Sequence, residues 1–246
     1  MPLCAANTFA LFAGEPQLVH GCFNRHGGIS PLPYDSLNIS FQVGDAPAHV
    51  RHNRGLVKKA LGCQTLISAR QVHGTEVAVV GATESDQELE GYDALISDRP
   101  GVALLIQQAD CQAVLLHDPF KKVIANIHCG WKGSVANIIA VTLQRLMETF
   151  HSDPAQIRAA ISPALGPCCA EFMHYKKELP TIFHPFEVAA NHFDFPAISA
   201  MQLREGGIHP DHIETAAICS RCNRDWFSFR RRRHTGRFCS AIGLLS

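Results

Sequence analysis

Short apolar runs separated by polar turns make up most of this chain. Residues 77–80, 102–106, 114–116 and 123–127 are compact runs of aliphatic side chains, which read as buried strands. Further strands are expected over 19–23, 65–72, 76–80, 93–97, 102–107 and 157–161. Segments 213–218, 226–229 and 238–244 close the chain in the same way. Two stretches carry helical spacing instead. Asp45 can cap a helix over 46–61, which Gly62 is placed to end, with Val50, Leu56, Val57, Ala60 and Leu61 on its apolar face. Residues 134–150 place Val135, Ile138, Ile139, Val141, Leu143 and Leu146 inward. Segments 169–179 and 196–205 are shorter helical candidates, the second ending at Gly206-Gly207. After Phe23 comes a long polar loop with Gly27-Gly28, Pro31, Pro33 and Asn38, the kind of loop that covers a site. Residues 83–91 are read as an acidic loop. Strands and helices do not alternate regularly, so the expectation is an α+β fold, a single domain over residues 1–246.

Composition narrows the function classes. The 22 basic and 22 acidic residues cancel, which removes any general electrostatic case for binding nucleic acid or an anionic membrane. No apolar run approaches the ~20 residues of a spanning helix. The first twelve or so residues lack a basic region and a cleavage site, so no secretory signal is expected. The ten cysteines are therefore expected as free thiols in a reducing cytoplasm. Cys219 and Cys222 spell C-x-x-C. A zinc ribbon would need a second such pair, and a redox motif should open a helix after a strand. Both cysteines are read as unconnected thiols, and so is the Cys168-Cys169 pair.

Three chemical signals sit at the ends of apolar runs: Gln71-Val72-His73-Gly74, Ala109-Asp110-Cys111, and the stretch His128-Cys129-Gly130-Trp131-Lys132-Gly133. His73 and Cys111 are 38 positions apart (111 − 73), and Cys111 and His128 are 17 apart (128 − 111). Such spacings are too long for a zinc finger but suit ligands that converge from separate elements. Two imidazoles and one thiolate form a three-ligand set with an open fourth position, the catalytic kind of zinc site. The alternative is two hydrogen-bonded turn histidines and a buried apolar thiol, since free cysteine is often buried.

Taken with Phe23-Asn24-Arg25-His26-Gly27-Gly28, Tyr34-Asp35-Ser36-Leu37-Asn38, Val43-Gly44-Asp45, Asp93-Ala94, Leu165-Gly166-Pro167, Phe227-Ser228-Phe229-Arg230-Arg231 and Thr235-Gly236-Arg237, these motifs cover nearly the whole chain. In that order they resemble the bacterial purine nucleoside phosphorylases once labelled laccase-domain or polyphenol oxidase proteins. The resemblance implies one domain of layered mixed β-sheets flanked by helices. It implies phosphorolysis of adenosine, inosine, guanosine and methylthioadenosine, with adenosine deamination. It makes His73, Cys111 and His128 the metal ligands, for Zn2+ or alternatively Cu2+. Cys129 departs from the family, which usually has a small residue there. Chain direction still favours Cys111, because residue 129 should point away from 128 along a strand.

Further roles follow from the chemistry this implies. Asp110 is either a hydrogen-bonding turn residue or a general base or ligand-orienting group. Arg25, Arg54 and Arg230 are candidates for holding phosphate, Arg54 being read rather as a surface residue. The run 230–233 is read on a strand, so that Arg230 points inward and the rest form a solvated edge. The N–H groups of residues 133–135 offer another anion position. The expected partners are purine nucleosides and phosphate, with no nucleic acid and no membrane, for a monomer or weak homo-oligomer. Two other enzyme classes compete. A copper-dependent polyphenol oxidase would need paired His-x-His segments, and the chain has none. A metal-free hydrolase would use Cys111 as nucleophile with His128 or His73 as base. A binding-only metal site would normally be closed by a fourth protein ligand.

Overall fold

The computed structural model describes residues 3–246. Its elements in chain order are β1 (Leu18–Phe23), α1 (Pro47–Leu61), β2 (Thr65–Arg70), β3 (Val77–Val79), β4 (Gln87–Glu90), β5 (Ala94–Ser97), β6 (Val102–Gln108), β7 (Gln112–Asp118) and β8 (Val123–Cys129). There follow α2 (Trp131–Val135), α3 (Ile138–Phe150), β9 (Arg158–Ile161), α4 (Tyr175–Glu178), β10 (Glu187–Ala189), β11 (His192–Phe193), α5 (Phe195–Glu205), β12 (Ile213–Thr215) and β13 (Phe238–Leu244).

Two mixed sheets carry the fold, a five-stranded one ordered β1-β13-β6-β2-β4 and a six-stranded one ordered β12-β9-β7-β8-β5-β3. Side chains alternate along each strand, and that alternation sorts the core into layers. Leu104 and Ile106 of β6 pack between the sheets with Ala113 and Leu115 of β7 and Phe238 and Ile242 of β13. The intervening Ala103 and Leu105 face the other way, onto Val57 and Leu61 of α1. Val114 and Leu116 of β7 pack outward with Ile139 and Leu143 of α3 and Leu203 of α5. The order is helix, sheet, sheet, helices. The central strands are buried on both faces, which is why they read as continuous apolar runs. Asn126 of β8 ties the sheets together, its amide donating to Leu104 O at 3.0 Å and Ser240 O at 2.9 Å. Among the described residues no helix is long and apolar enough to cross a membrane.

The structure corrects several local expectations. Asp45 does not cap α1 from the N-cap position, which Ala46 holds. Its buried carboxylate instead accepts from Ser30 Oγ at 2.6 Å and Asn38 Nδ2 at 2.9 Å, pinning the long polar loop. Ala60 is exposed, and Asn53 takes a buried place on α1. The acidic stretch contains a strand, β4, paired in parallel with β2. The expected helix over 134–150 is two helices, broken where Asn137 takes φ 54° and accepts from Ala140 N to cap α3. Val135 and Val141 are consequently exposed. Segment 169–179 holds only the four-residue α4, and segment 226–229 is a turn rather than a strand. Arg54 is not a solvated surface group. It donates to Ile39 O and Ser68 Oγ, pairs with Glu88 and lies over the Phe41 ring.

Candidate metal centre

Chain crossings between the sheets build the site. The connection from β2 to β3 carries His73, and the tight corner from β6 to β7 carries Asp110 and Cys111. His128 lies near the end of β8, opposite Ala113 of β7, so all three reach the same end of the sandwich. His73 and His128 meet edge to face with ring centroids 4.7 Å apart. Cys111 Sγ is 3.8 Å from His73 Nε2. One ligand atom from each of the three residues lies within 4.8 Å of the others.

Asp93, just before β5, organises this corner. It is fully buried, and its two oxygens accept four hydrogen bonds. Oδ1 takes His73 N at 3.0 Å and His128 Nδ1 at 2.7 Å. Oδ2 takes Val72 N at 3.1 Å and Gly74 N at 2.7 Å. These bonds hold His73 at φ 62° and fix a proton of His128 on Nδ1, so that Nε2 is the nitrogen that would bind an ion on giving up its own proton. Burial works against the charge on Asp93, but His128 and the backbone N–H groups outweigh it and draw its carboxyl below the usual range. Burial likewise opposes a thiolate at Cys111, yet His128 and His73 bring it down to about 6. His128 is disfavoured by burial but raised to about 9 by Cys111 and Asp93.

Gly130 completes the cradle. A Cβ there would lie 2.9 Å from His73 Cδ2, 3.2 Å from Cys111 Sγ and 3.6 Å from His128 Cε1, in the space between the three ligands. The donor set and this reserved space fit a borderline ion such as zinc. Cys129 lies across the strand from His128. Its Sγ is 3.3 Å from Ser134 Oγ in the helix-facing core, where burial pushes the thiol up to about 11.

The three residues open onto a cavity of about 660 Å³. Trp131, Phe172, Phe195 and Phe229 supply its aromatic walls, and Arg70, Arg230 and Arg237 its positive charge. Asp110 also lines it, at φ 91°. Its carboxylate accepts from Ser220 Oγ at 2.7 Å and from Arg230 N at 2.6 Å. The Arg230 guanidinium lies 3.3 Å from Glu171 O at the exposed rim. Arg25 does not line the cavity. Its guanidinium lies over Phe227, pairs with Asp35 at 2.8 Å and donates to Asp35 O at 2.7 Å. The N–H groups expected to receive an anion fall inside α2, where Ser134 N already donates to Gly130 O.

Asp93, Gly130, Trp131, Phe229 and Arg237 stood out in the sequence only as members of motifs, and Arg70, Phe172 and Phe195 did not stand out at all. An Asp opening an apolar strand was the available signal for the first. The reading of the remaining cysteines is corrected. Cys168, Cys169, Cys219 and Cys222 come together, one ligand atom from each within 4.8 Å of the others. The pairing escaped notice because a turn and a distant loop, not two C-x-x-C motifs, supply it.

A layered mixed α+β domain with a two-histidine, one-cysteine corner over an arginine-lined cavity defines a candidate metalloenzyme. The family model described as multi-copper polyphenol oxidoreductase laccase matches residues 19–245. The purine nucleoside phosphorylase of Streptomyces coelicolor is 36% identical over 242 residues, covering 94% of this chain and 99% of that protein. The purine nucleoside phosphorylase YfiH of Escherichia coli is 31% identical over 242 residues, covering 94% and 96%. The crystal structure of YlmD from Geobacillus stearothermophilus matches with a TM-score of 0.88 at 28% identity, over 97% of this chain and 94% of that one. The chain belongs to this laccase-like family, several of whose curated relatives bear the name purine nucleoside phosphorylase.

Proposed function

We propose that the chain is a metal-dependent purine nucleoside phosphorylase acting on adenosine, inosine, guanosine and methylthioadenosine, with adenosine deamination at the same centre. The observation that supports this reading is one cavity shared by the His73, Cys111 and His128 donors, aromatic walls and three arginines. Trp131, Phe172 and Phe229 offer flat apolar surface to a purine ring. Arg70, Arg230 and Arg237 offer planar donors matched to phosphate oxygens. A zinc ion held by His73, Cys111 and His128 supplies a Lewis acid at the floor of the cavity when bound.

In phosphorolysis a phosphate oxygen bonds to ribose C1′ while the glycosidic C–N bond breaks and its electron pair leaves with the purine. The chain's tasks are to hold the anion in line and to keep competing water out. Asp110 serves the first task by fixing the backbone of Arg230, so the two act as one unit. Arg237 is largely dehydrated, which weakens its hold on its own proton and leaves its guanidinium less well solvated than a surface one. That favours a charged partner in the cavity. Deamination requires water rather than phosphate as nucleophile. The test is adenosine turnover with and without phosphate, with adenine, hypoxanthine and inosine separated by chromatography. Adenine release should require phosphate, and inosine release should not. If zinc-loaded protein leaves adenosine untouched while copper-loaded protein oxidises a phenolic dye, the proposal fails and the oxidase reading replaces it.

A further inference from the structure

A second cluster of metal-seeking side chains lies outside the cavity. Cys168 and Cys169 occupy a tight turn in which Cys169 N and Ala170 N both donate to Gly166 O, at 2.9 and 3.1 Å. In a turn, unlike a strand, adjacent side chains need not point to opposite sides. Cys219 and Cys222 lie in the loop that follows β12, and Asn223 N donates to Cys219 O at 2.9 Å. The loops are joined by the parallel bridge between Ala164 and Cys219 and by Ser220 N donating to Ala164 O at 2.8 Å.

We infer that Cys168, Cys169, Cys219 and Cys222 form a structural tetrathiolate site for a single zinc ion. Zinc–sulfur bonds of about 2.3 Å in a tetrahedron place the sulfurs about 3.8 Å apart. Cys222 Sγ lies 3.7 Å from Cys168 Sγ and 3.5 Å from Cys169 Sγ, and the whole set lies within 4.8 Å. Four thiolates fill the coordination sphere, as structural zinc sites require, and leave no position for substrate. Two further features suit bound thiolates. Arg221 Nη1 lies 3.3 Å from Cys169 Sγ, where its charge offsets part of the excess negative charge of the site. Gly166 leaves the loops room to close, since a Cβ there would meet Cys219 Cβ at 3.0 Å and Cys219 Sγ at 3.4 Å.

The placement explains what the ion would do. One of the joined segments brings Leu165, Ala170 and Phe172 to the cavity. The other brings Ser220, which holds Asp110 Oδ1, and reaches Arg230. The zinc clamps two walls of the cavity without entering it. The inference does not depend on the reading of the His73 site.

Elemental analysis of the full chain, purified under reducing conditions after expression with zinc, tests it. Wild-type protein should carry two zinc ions per chain, and Cys111→Ser should retain one. Cys222→Ser should also retain one, and the double variant close to none. Cobalt-loaded Cys111→Ser should show intense thiolate-to-cobalt charge-transfer bands that Cys222→Ser in the same background abolishes. Cys168→Ser, at an exposed sulfur, repeats the count if Cys222→Ser fails to fold. Two results overturn the inference. One is zinc-free Cys111→Ser protein with the four thiols free to alkylating reagent. The other is mass spectrometry showing them paired as disulfides in that protein.

Discussion

Replacing Asp93 with asparagine tests the logic of the metal corner, because the change keeps shape and removes only charge and symmetry. Each oxygen of Asp93 accepts two donors. An amide offers one oxygen and one NH2, so neither orientation can satisfy all four. If the oxygen takes the Oδ1 place, the NH2 faces Val72 N and Gly74 N. Two part-buried donors, on exposed Val72 and half-buried Gly74, then lose their partner, and because solvent can reach them the cost is at most about 1–3 kcal/mol each. If the oxygen takes the Oδ2 place, the NH2 faces His128 Nδ1, which must then accept. The ring proton moves to Nε2 and blocks the metal-binding nitrogen. Either outcome also removes the anion that raises the basicity of His128, and such losses weaken metal binding by about 10–100-fold. The assay is competition for zinc against a chelator of known affinity, with unfolding followed by circular dichroism on the zinc-free protein. An Asp93→Asn variant that binds zinc within about twofold of wild type and unfolds at the same midpoint would refute the argument.

Gly130→Ala should fold but lose metal at the His73 site, because the new methyl lies 3.2 Å from Cys111 Sγ. Zinc retained by that donor set, read as cobalt absorption in a Cys222→Ser background, would contradict it. Arg230→Ala should weaken apparent phosphate affinity about tenfold or more, the loss of a charge-assisted contact of ~1.5–3 kcal/mol. Arg25→Ala should leave that affinity unchanged and lower stability, and phosphate titration of both variants separates the roles. His117 is 4% exposed, its Nδ1 has no hydrogen-bond partner among the described residues, and burial lowers it from 6.5 to about 4. The unfolded chain therefore binds the extra proton first. His117 leaves stability intact above pH 6.5, and removes ~3 kcal/mol of it as pH falls towards 4. Urea titrations of wild type and His117→Leu across that range should diverge in slope, and parallel curves would show that His117 is not the titrating group.

The strands were readable because burial on both faces leaves an unmistakable apolar signature, as in 102–106 and 123–127. The α+β class followed from their irregular order. Sheet order did not, since β13 inserts between β1 and β6 from far along the chain. Local pattern carries no such long-range information. β4 was hidden because its residues are polar at a sheet edge. The break at Asn137 was hidden because the apolar spacing runs through it. His73, Cys111 and His128 could be picked out by residue type at strand ends. Asp93 offered only its place at the head of an apolar strand, because its role depends on three N–H groups some twenty positions away. The cysteine cluster was missed for a related reason: its two halves are supplied by segments with no shared motif.

The insertion of β13 has a consequence for synthesis on the ribosome. Phe238 pairs with Gln108, its partner 130 positions earlier (238 − 108). At ~5–20 residues per second, β6 waits roughly 6–26 s for that neighbour. During the wait β2 can occupy one side of β6, while the other side presents unpaired backbone groups to any passing strand. The partner sheet has no such delay at its centre, since β7 and β8 are joined by a short turn. The nascent chain therefore passes through a stage with one half of the sandwich formed and the other half holding an open slot. Chains interrupted before β13 keep that slot permanently. They should be recovered in aggregates, whereas chains carried through β13 should be recovered folded.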